Sequence, residues 1–485
     1  MPHLRDGFIV AKVGIARLAR PLPPVYPFLN HKASSTPHPV HWLKSNTTRH
    51  HFLSTGCPIF ATASSSLRWA SREARPLPPV YPFLNHKASS APHPVHWLTM
   101  NTTRRHFLAA SATLPFALRS FAQATTPKWV FLGTDKGEGI YRAPWNATTG
   151  ELGKVELAAP APRPDFFAMH PKLPVLYTVI EGTGKTAGVQ AYRVDPTHAT
   201  LTLINTVSSQ GDGPCYVSVD RTGQSAFVAN YPGGTMAAFG LNTDGSLREA
   251  ANAFDCRQNP ACGSLGPVAD RQEAPHMHCT TISPNNDFVL VCNLGEDAIE
   301  VFPFTPSRTS SAILGTPTRV PARAGSGPRH VAFHPNGKWV YCVHELDCTI
   351  DLYDWSAHAH KATMALRPNS TISTLMMGSA LTGNTGCEVV VSDDGRFVYT
   401  CTRGENSLSV YRVDAKSGLL TEQQRLQCGG TIPRIINFDP TRRWLLCSNQ
   451  GSSTITIFAH DPTTGHITEQ PKTVEANTPM YVQFL

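Results

Sequence analysis

Along most of this chain, apolar residues fall in short blocks rather than helical stripes. FVLVCN (288–293), WVYCVH (339–344), FVYTCT (397–402) and WLLCSN (444–449) are continuous runs rich in β-branched and aromatic residues. Such runs mark strands covered on both faces. Each follows a turn rich in Pro, Asp, Asn or Gly and leads, through a polar turn, to another apolar run. The unit at 327–355 reads GPRHVAFHPNGKWVYCVHELDCTIDLYDW. It predicts a strand, an Asn-Gly hairpin, a second strand, a short polar turn and a third strand.

The unit recurs, with turns beginning at Pro171, Asp220, Pro284, Pro335, Asp393 and Pro440, at intervals of 49, 64, 51, 58 and 47 residues. A period of about 50 residues with about four strands per unit is the mark of propeller blades. The longest interval carries an insertion containing Cys256 and Cys262. A further blade begins with KWVFLGT and IYRAPW but lacks its first strand, which PMYVQFL (479–485) can supply. Pairing the two would close the ring and leave no open sheet edge. The expected fold is therefore all-β: a seven-bladed β-propeller of four-stranded blades over 125–485, with six blades as the alternative count.

This frame orders the polar residues. In each unit the start of the first strand and the end of the second are antiparallel neighbours, at the edge opposite the hairpin turn. The first strand of a propeller blade lines the central channel, so residues at these two places should converge on one mouth of it. The first column holds Asp165, Pro214, His278, Arg329, Cys387 and Arg434, with His330 and Glu388 one residue further on. The second holds Glu181, Asn230, Leu294, Glu345, Arg403 and Gln450. Together they offer acids, a base and cations around a concave site, the ingredients of acid–base chemistry. A mouth whose charges only pair across blades, or bind a partner protein or polymer without catalysis, is the competing reading. His276 and His278 could also hold a metal, but no Cys-x-x-Cys or carboxylate cluster accompanies them, and no metal is expected.

The N-terminal region does not follow the repeat. Arg20–Leu53 and Arg75–Leu108 are near copies offset by 55 residues, both containing RPLPPVYPFLNHKASS. They are proline-rich, lack helical or strand periodicity, and are expected to be disordered. Residues 100–124, MNTTRRHFLAASATLPFALRSFAQA, carry paired Arg104 and Arg105, a short apolar run and a small-x-small ending at Ala124. They resemble a twin-arginine export signal, too short and interrupted to span a bilayer. Residues 1–99 then form a duplicated leader, with Met100 the expected translation start, and the folded protein is exported, periplasmic in a bacterium. It would be cytoplasmic if the signal is unused.

Charge changes the picture once it is located. The formal net charge is +8, but residues 1–124 hold 14 Lys+Arg and 2 Asp+Glu, leaving 28 basic and 32 acidic residues in the rest. The folded part is mildly acidic, so neither a nucleic-acid footprint nor a polybasic membrane surface is present there. Eleven of the 12 cysteines lie beyond residue 124. Cys292, Cys342, Cys401 and Cys447 sit in strand-like runs and are expected as buried free thiols. Cys256 and Cys262 are the one candidate disulfide. No dinucleotide Gly-rich turn or haem-attachment motif appears, so no cofactor is expected.

The segments PHMHCTTISP, GPRHVAFHPNGKWVY, HEL, SDDGRFVYTCTRGENSLSVYRVD, PRIINFDP and LLCSNQGSSTITIF, spread over 127–485, resemble the lactonase family. That family includes propeller-type 6-phosphogluconolactonases and fungal carboxymuconate-lactonising cyclases. The resemblance implies a seven-bladed propeller with its site at one channel mouth. It also implies a histidine, two arginines and a glutamate as key residues, which fall on His278, Arg329, Glu345 and Arg403. His330, Glu388, Arg434 and Gln450 are the expected binding or orienting residues. The implied reaction is hydrolysis of a small sugar lactone, with Glu345 or His278 as general base. Lactone-forming cyclase chemistry is the enzymatic alternative. The expected partner is a small-molecule lactone alone, and a monomer is favoured.

Overall fold

The computed structural model describes residues 129–260 and 262–485. The expectations for the leader (1–99) and the export signal (100–124) lie outside the described residues. Seven antiparallel sheets form, each built on four strands in sequence order. The helical segments among the described residues are two single 3-10 turns, Gly184–Thr186 and Leu294–Glu296.

The sheets are blades of a propeller. Blade 1 is completed by Pro479–Phe484, which pairs antiparallel with Trp129–Thr134, Leu132 opposite Val482. Blades 2 to 7 begin with Pro164–Met169, Pro214–Val219, Thr281–Ile282, Pro328–Phe333, Thr385–Val391 and Pro433–Phe438. Neighbouring blades touch in cyclic order, and blade 7 returns to the Pro479–Phe484 strand. The expected seven-blade ring, closed by pairing its first and last strands, is the observed one.

The continuous apolar runs are explained by what lies on each side of them. Side chains of a strand alternate between faces, and each second strand is packed between two neighbouring blades. In Val175–Ile180, Tyr177 and Val179 pack with Ala226 and Phe239 of blade 3. Leu176 and Ile180 face the other way, onto Phe131 of blade 1. Seven apolar clusters result, one at each junction between blades. Burying a Val, Leu or Phe side chain contributes about 1.5–3 kcal/mol, so a charge at a position such as Val291, wholly buried, would open a junction.

At the hairpin edge, the Gly337 N–H donates to the His334 carbonyl (3.0 Å) and Gly337 takes φ +67°, a conformation that glycine adopts without strain. Asn286 and Arg442 take the same left-handed position in blades 4 and 7. This repeated turn corrects one column assignment. The Asp220 N–H donates to the Ser225 carbonyl just as that of His334 does to Trp339, so the blade 3 turn starts at Arg221, one residue later than the sequence pattern indicated. Both blade 3 positions move with it, from Pro214 and Asn230 to Cys215 and Tyr231.

Cys256 and Cys262 form a disulfide with a Cα–Cα distance of 5.5 Å. Cys292, Cys342, Cys401 and Cys447 are buried free thiols.

Candidate active site

A repeated irregularity builds the site. Opposite the turn edge, the first strand of five blades carries one more residue than the second. The register jumps between Pro164 and Phe167, Pro214 and Tyr216, Pro328 and His330, Gly386 and Glu388, and Pro433 and Ile435. Pro479–Phe484 jumps likewise around Met480. Such bulges re-aim a side chain out of the ladder. The residues freed are Asp165, Cys215, Arg329, Cys387, Arg434 and Met480. In blade 4, where Met277 bridges to Asn293, the corresponding residue is His278. The ends of the second strands add Glu181, Tyr231, Glu345, Arg403 and Gln450.

All of these except Arg329 and Cys387 line a cavity of about 280 Å³, where Arg163 and Arg271 join them. Every blade contributes. Glu345 is the hub of one wall. Its Oε2 accepts from Arg329 Nε (3.0 Å) and lies 2.9 Å from Arg403 Nη2 and 3.8 Å from His278 Nε2. Its Oε1 accepts from Arg271, which also donates to the Tyr231 hydroxyl (3.3 Å). Burial would raise the Glu345 pKa, but Arg403, Arg329 and Arg271 outweigh it and hold the carboxyl well below its usual range.

Arg329 lies behind this wall rather than in the cavity, 1% exposed, and also donates to the Cys387 carbonyl. His330 Nε2 is 3.3 Å from Arg329 Nη1, and its Nδ1 is 3.0 Å from Glu388 Oε1. Because guanidinium can only donate, the His330 proton sits on Nδ1 and is donated to Glu388. Burial holds the His330 pKa down even against Glu388. His330 and Glu388 therefore brace Arg329 and do not line the cavity, whereas Arg434 and Gln450 do. His278 is buried, and burial with the positive Arg329 pushes its pKa well below the ordinary value, so it is neutral near pH 7. His276 is committed elsewhere: it stacks on Tyr231 and reaches the Tyr231 carbonyl and Glu273, each at 3.1 Å. Leu294 is buried and does not line the cavity.

The other wall is looser. Arg163 pairs with Glu181 (2.6 Å) and Asp135 (2.8 Å), and Gln450 donates to Asp135 (3.0 Å). Arg434 comes no nearer than 3.9 Å to Asp165. Three buried polar atoms at this cavity have no hydrogen-bond partner among the described residues: Asp165 Oδ1, His278 Nδ1 and Arg403 Nε. Buried polar atoms are usually satisfied, so these three are unspent hydrogen-bonding capacity on residues that line the cavity. A smaller cavity of about 110 Å³ lies at the turn edge, between Val391, Phe438, Arg442 and His460. Its arginine is already paired with Asp393.

The sequence pattern had missed Arg163, Arg271, Cys215, Tyr231 and Met480. Cys215 and Tyr231 follow from the one-residue shift in blade 3, and Met480 from the same bulge position in the closing strand. Arg163 lies before its strand at φ +44°, and Arg271 lies on the insertion beyond the disulfide. Neither has a place in the strand repeat.

A ring of seven sheets whose blades all contribute to one largely polar cavity is a β-propeller. Residues 124–484 match the family described as Lactonase, 7-bladed beta-propeller, and the chain belongs to that family. It is 32% identical over 349 residues to a protein of Bacillus subtilis named 6-phosphogluconolactonase, covering 72% of this chain and 95% of that one. It is 27% identical to a protein of the same name from Formosa agariphila, covering 72% and 97%. The solved structure of a periplasmic gluconolactonase from Pseudomonas aeruginosa superposes with a TM-score of 0.66 at 27% identity, over 74% of this chain and 98% of that one. Among the described residues no helix is long and apolar enough to cross a membrane.

Proposed function

We propose that this chain hydrolyses a small sugar lactone in the cavity described above, at one mouth of the propeller channel. The observation that carries the reading is the convergence of three unsatisfied buried polar atoms, on Asp165, His278 and Arg403, at a cavity of about 280 Å³. That space suits one sugar ring rather than a polymer.

Ester hydrolysis builds negative charge on the carbonyl oxygen, and preorganised donors there supply much of the rate. Arg403, a cation on the cavity wall, meets that oxygen in this reading. Glu345 holds Arg403, Arg271 and Arg329 in position; with its proton affinity so depressed it serves as anchor rather than base. Neutral His278 orients the attacking water through Nδ1. Arg434 and Gln450 contact the sugar hydroxyls, while His330 and Glu388 act through Arg329.

Two relatives are named for a phosphorylated lactone and a structural neighbour for the plain gluconolactone. Residues 100–124 read as an export signal, and phosphorylated sugars belong to the cytoplasm, so the unphosphorylated lactone is the favoured substrate. The experiment is pH-stat hydrolysis of glucono-δ-lactone and its 6-phosphate by the protein from Thr125, against the spontaneous background. Consumption at background rate for every lactone tested would end the reading. Formation of lactone from a muconate substrate would turn it to the cyclase. N-terminal sequencing of the native protein tests export: a peptide from residues 1–99 would refute the start at Met100.

A further inference from the structure

The cavity holds a second carboxylate in a setting opposite to that of Glu345. We propose that Asp165 is the group that moves the proton in lactone hydrolysis, taking it from the attacking water and returning it to the ring oxygen. The proposal rests on the lactonase reading and adds to it a catalytic residue from the far side of the cavity.

Four observations support it. Asp165 is freed from its ladder by the blade 2 bulge, which replaces a paired strand position with a side chain at the cavity. Its buried Oδ1 has no hydrogen-bond partner among the described residues, so no donor offsets the cost of burying the charge at that oxygen. Its Oδ2 has Arg434 as nearest cation at 3.9 Å, outside hydrogen-bond range, in contrast to the direct contacts that saturate Glu345. The charged and titratable groups around it pull both ways: Arg434 and Arg163 lower its proton affinity, Glu181 and Asp135 raise it, and the neighbouring Cys215 thiol is held neutral by burial. Burial, the largest influence, is left to decide and pushes the Asp165 pKa up to about 7. A base matched to neutral pH is the best compromise between being deprotonated and being able to pull a proton.

The step balances without any further reactant. The Asp165 carboxylate accepts a proton from water as the water oxygen bonds to the carbonyl carbon, and the C=O π pair moves onto the carbonyl oxygen facing Arg403. When the tetrahedral adduct collapses, that pair returns. The bond from carbonyl carbon to ring oxygen breaks with its electrons on the ring oxygen, which takes the proton from Asp165. The product is the open hydroxy acid.

The test is kcat and KM of wild type, Asp165→Asn and Arg434→Gln on the best lactone of the panel, from pH 5 to 9 with background subtracted. Asp165→Asn should lower kcat at least a hundredfold with KM within about threefold, keep its fold by circular dichroism, and lose the acid limb that wild type shows near pH 7. Arg434→Gln, which removes the main cation lowering the Asp165 pKa, should move that limb to higher pH. Wild type without lactonase activity would overturn the functional reading itself. Active wild type with a near-normal Asp165→Asn variant would overturn only the role of Asp165. Should Asp165→Asn not fold, the Arg434→Gln profile decides: an acid limb that stays where wild type has it rejects the proposal.

Discussion

Glu345 and Asp165 face the same cavity from opposite walls, are similarly buried, and differ only by a methylene group, yet their proton affinities move in opposite directions. Desolvation acts upward on both. On the wall of blades 4 to 6 it loses to Arg271, Arg329 and Arg403 in direct contact with Glu345. On the wall of blades 2 and 7 it prevails, because Arg434 stands off at 3.9 Å and Arg163 is drawn away to Glu181 and Asp135. The number of guanidinium groups in contact, rather than depth, separates a fixed anchor from a group able to exchange protons near pH 7.

The contrast can be broken from either side. Glu345→Ala has the largest expected effect: it leaves three guanidinium groups facing one another, and breaking a buried charge cluster costs about 3–5 kcal/mol. Denaturant unfolding should show that loss, with activity down more than a hundredfold. Arg403→Ala should lower kcat/KM by about a hundredfold or more, the cost of one oxyanion donor of about 2.7–4 kcal/mol. Thermal unfolding should change less than in Glu345→Ala. Arg271→Ala removes only the partly exposed member of the cluster, whose pair is worth about 1 kcal/mol or less, and should leave Glu345 depressed. A stability loss equal to that of Glu345→Ala would show that the insertion carries the wall.

The smallest effect is the most diagnostic in sign. The folded-state pKa of Asp165 is raised, so the native state binds a proton more tightly than the unfolded chain. Stability is therefore greatest below the unfolded value near 4 and falls as pH rises towards about 7. Asp165→Asn should match wild type in Tm below pH 4 and exceed it above pH 7. Glu345, with a depressed pKa, has the opposite dependence: its contribution persists through neutral pH and is lost only in acid. Equal Tm for wild type and Asp165→Asn at pH 8 would show that the two walls do not differ as described.

Much of this was legible in the chain. Junctions covered on both faces force continuous apolar second strands, and the turn spacing counts the blades. Two columns of a repeating hairpin were enough to bring His278, Glu345, Arg403, Arg434, Gln450, Asp165 and Glu181 to one cavity. The bulges were not legible, because an extra residue in a strand leaves no mark in period-two alternation when both faces are apolar. The blade 3 register slipped by one for a different reason: its turn starts at Arg221 rather than Asp220, so the pattern named Pro214 and Asn230 where Cys215 and Tyr231 stand. Arg329 was placed in the right blade, but its depth was invisible: a guanidinium wholly buried behind a carboxylate has the same letter as one facing solvent. Arg271 belongs to the irregular insertion, where only the disulfide hinted at a fixed path.

The strand Pro479–Phe484 also carries a consequence in time. It closes blade 1 and, through Met480, supplies part of the cavity surface. Blades 2 to 7 can stack without it, but until this strand finds Trp129–Thr134 the ring is ajar and the pocket lacks a side, so closure of the ring and completion of the pocket are one event.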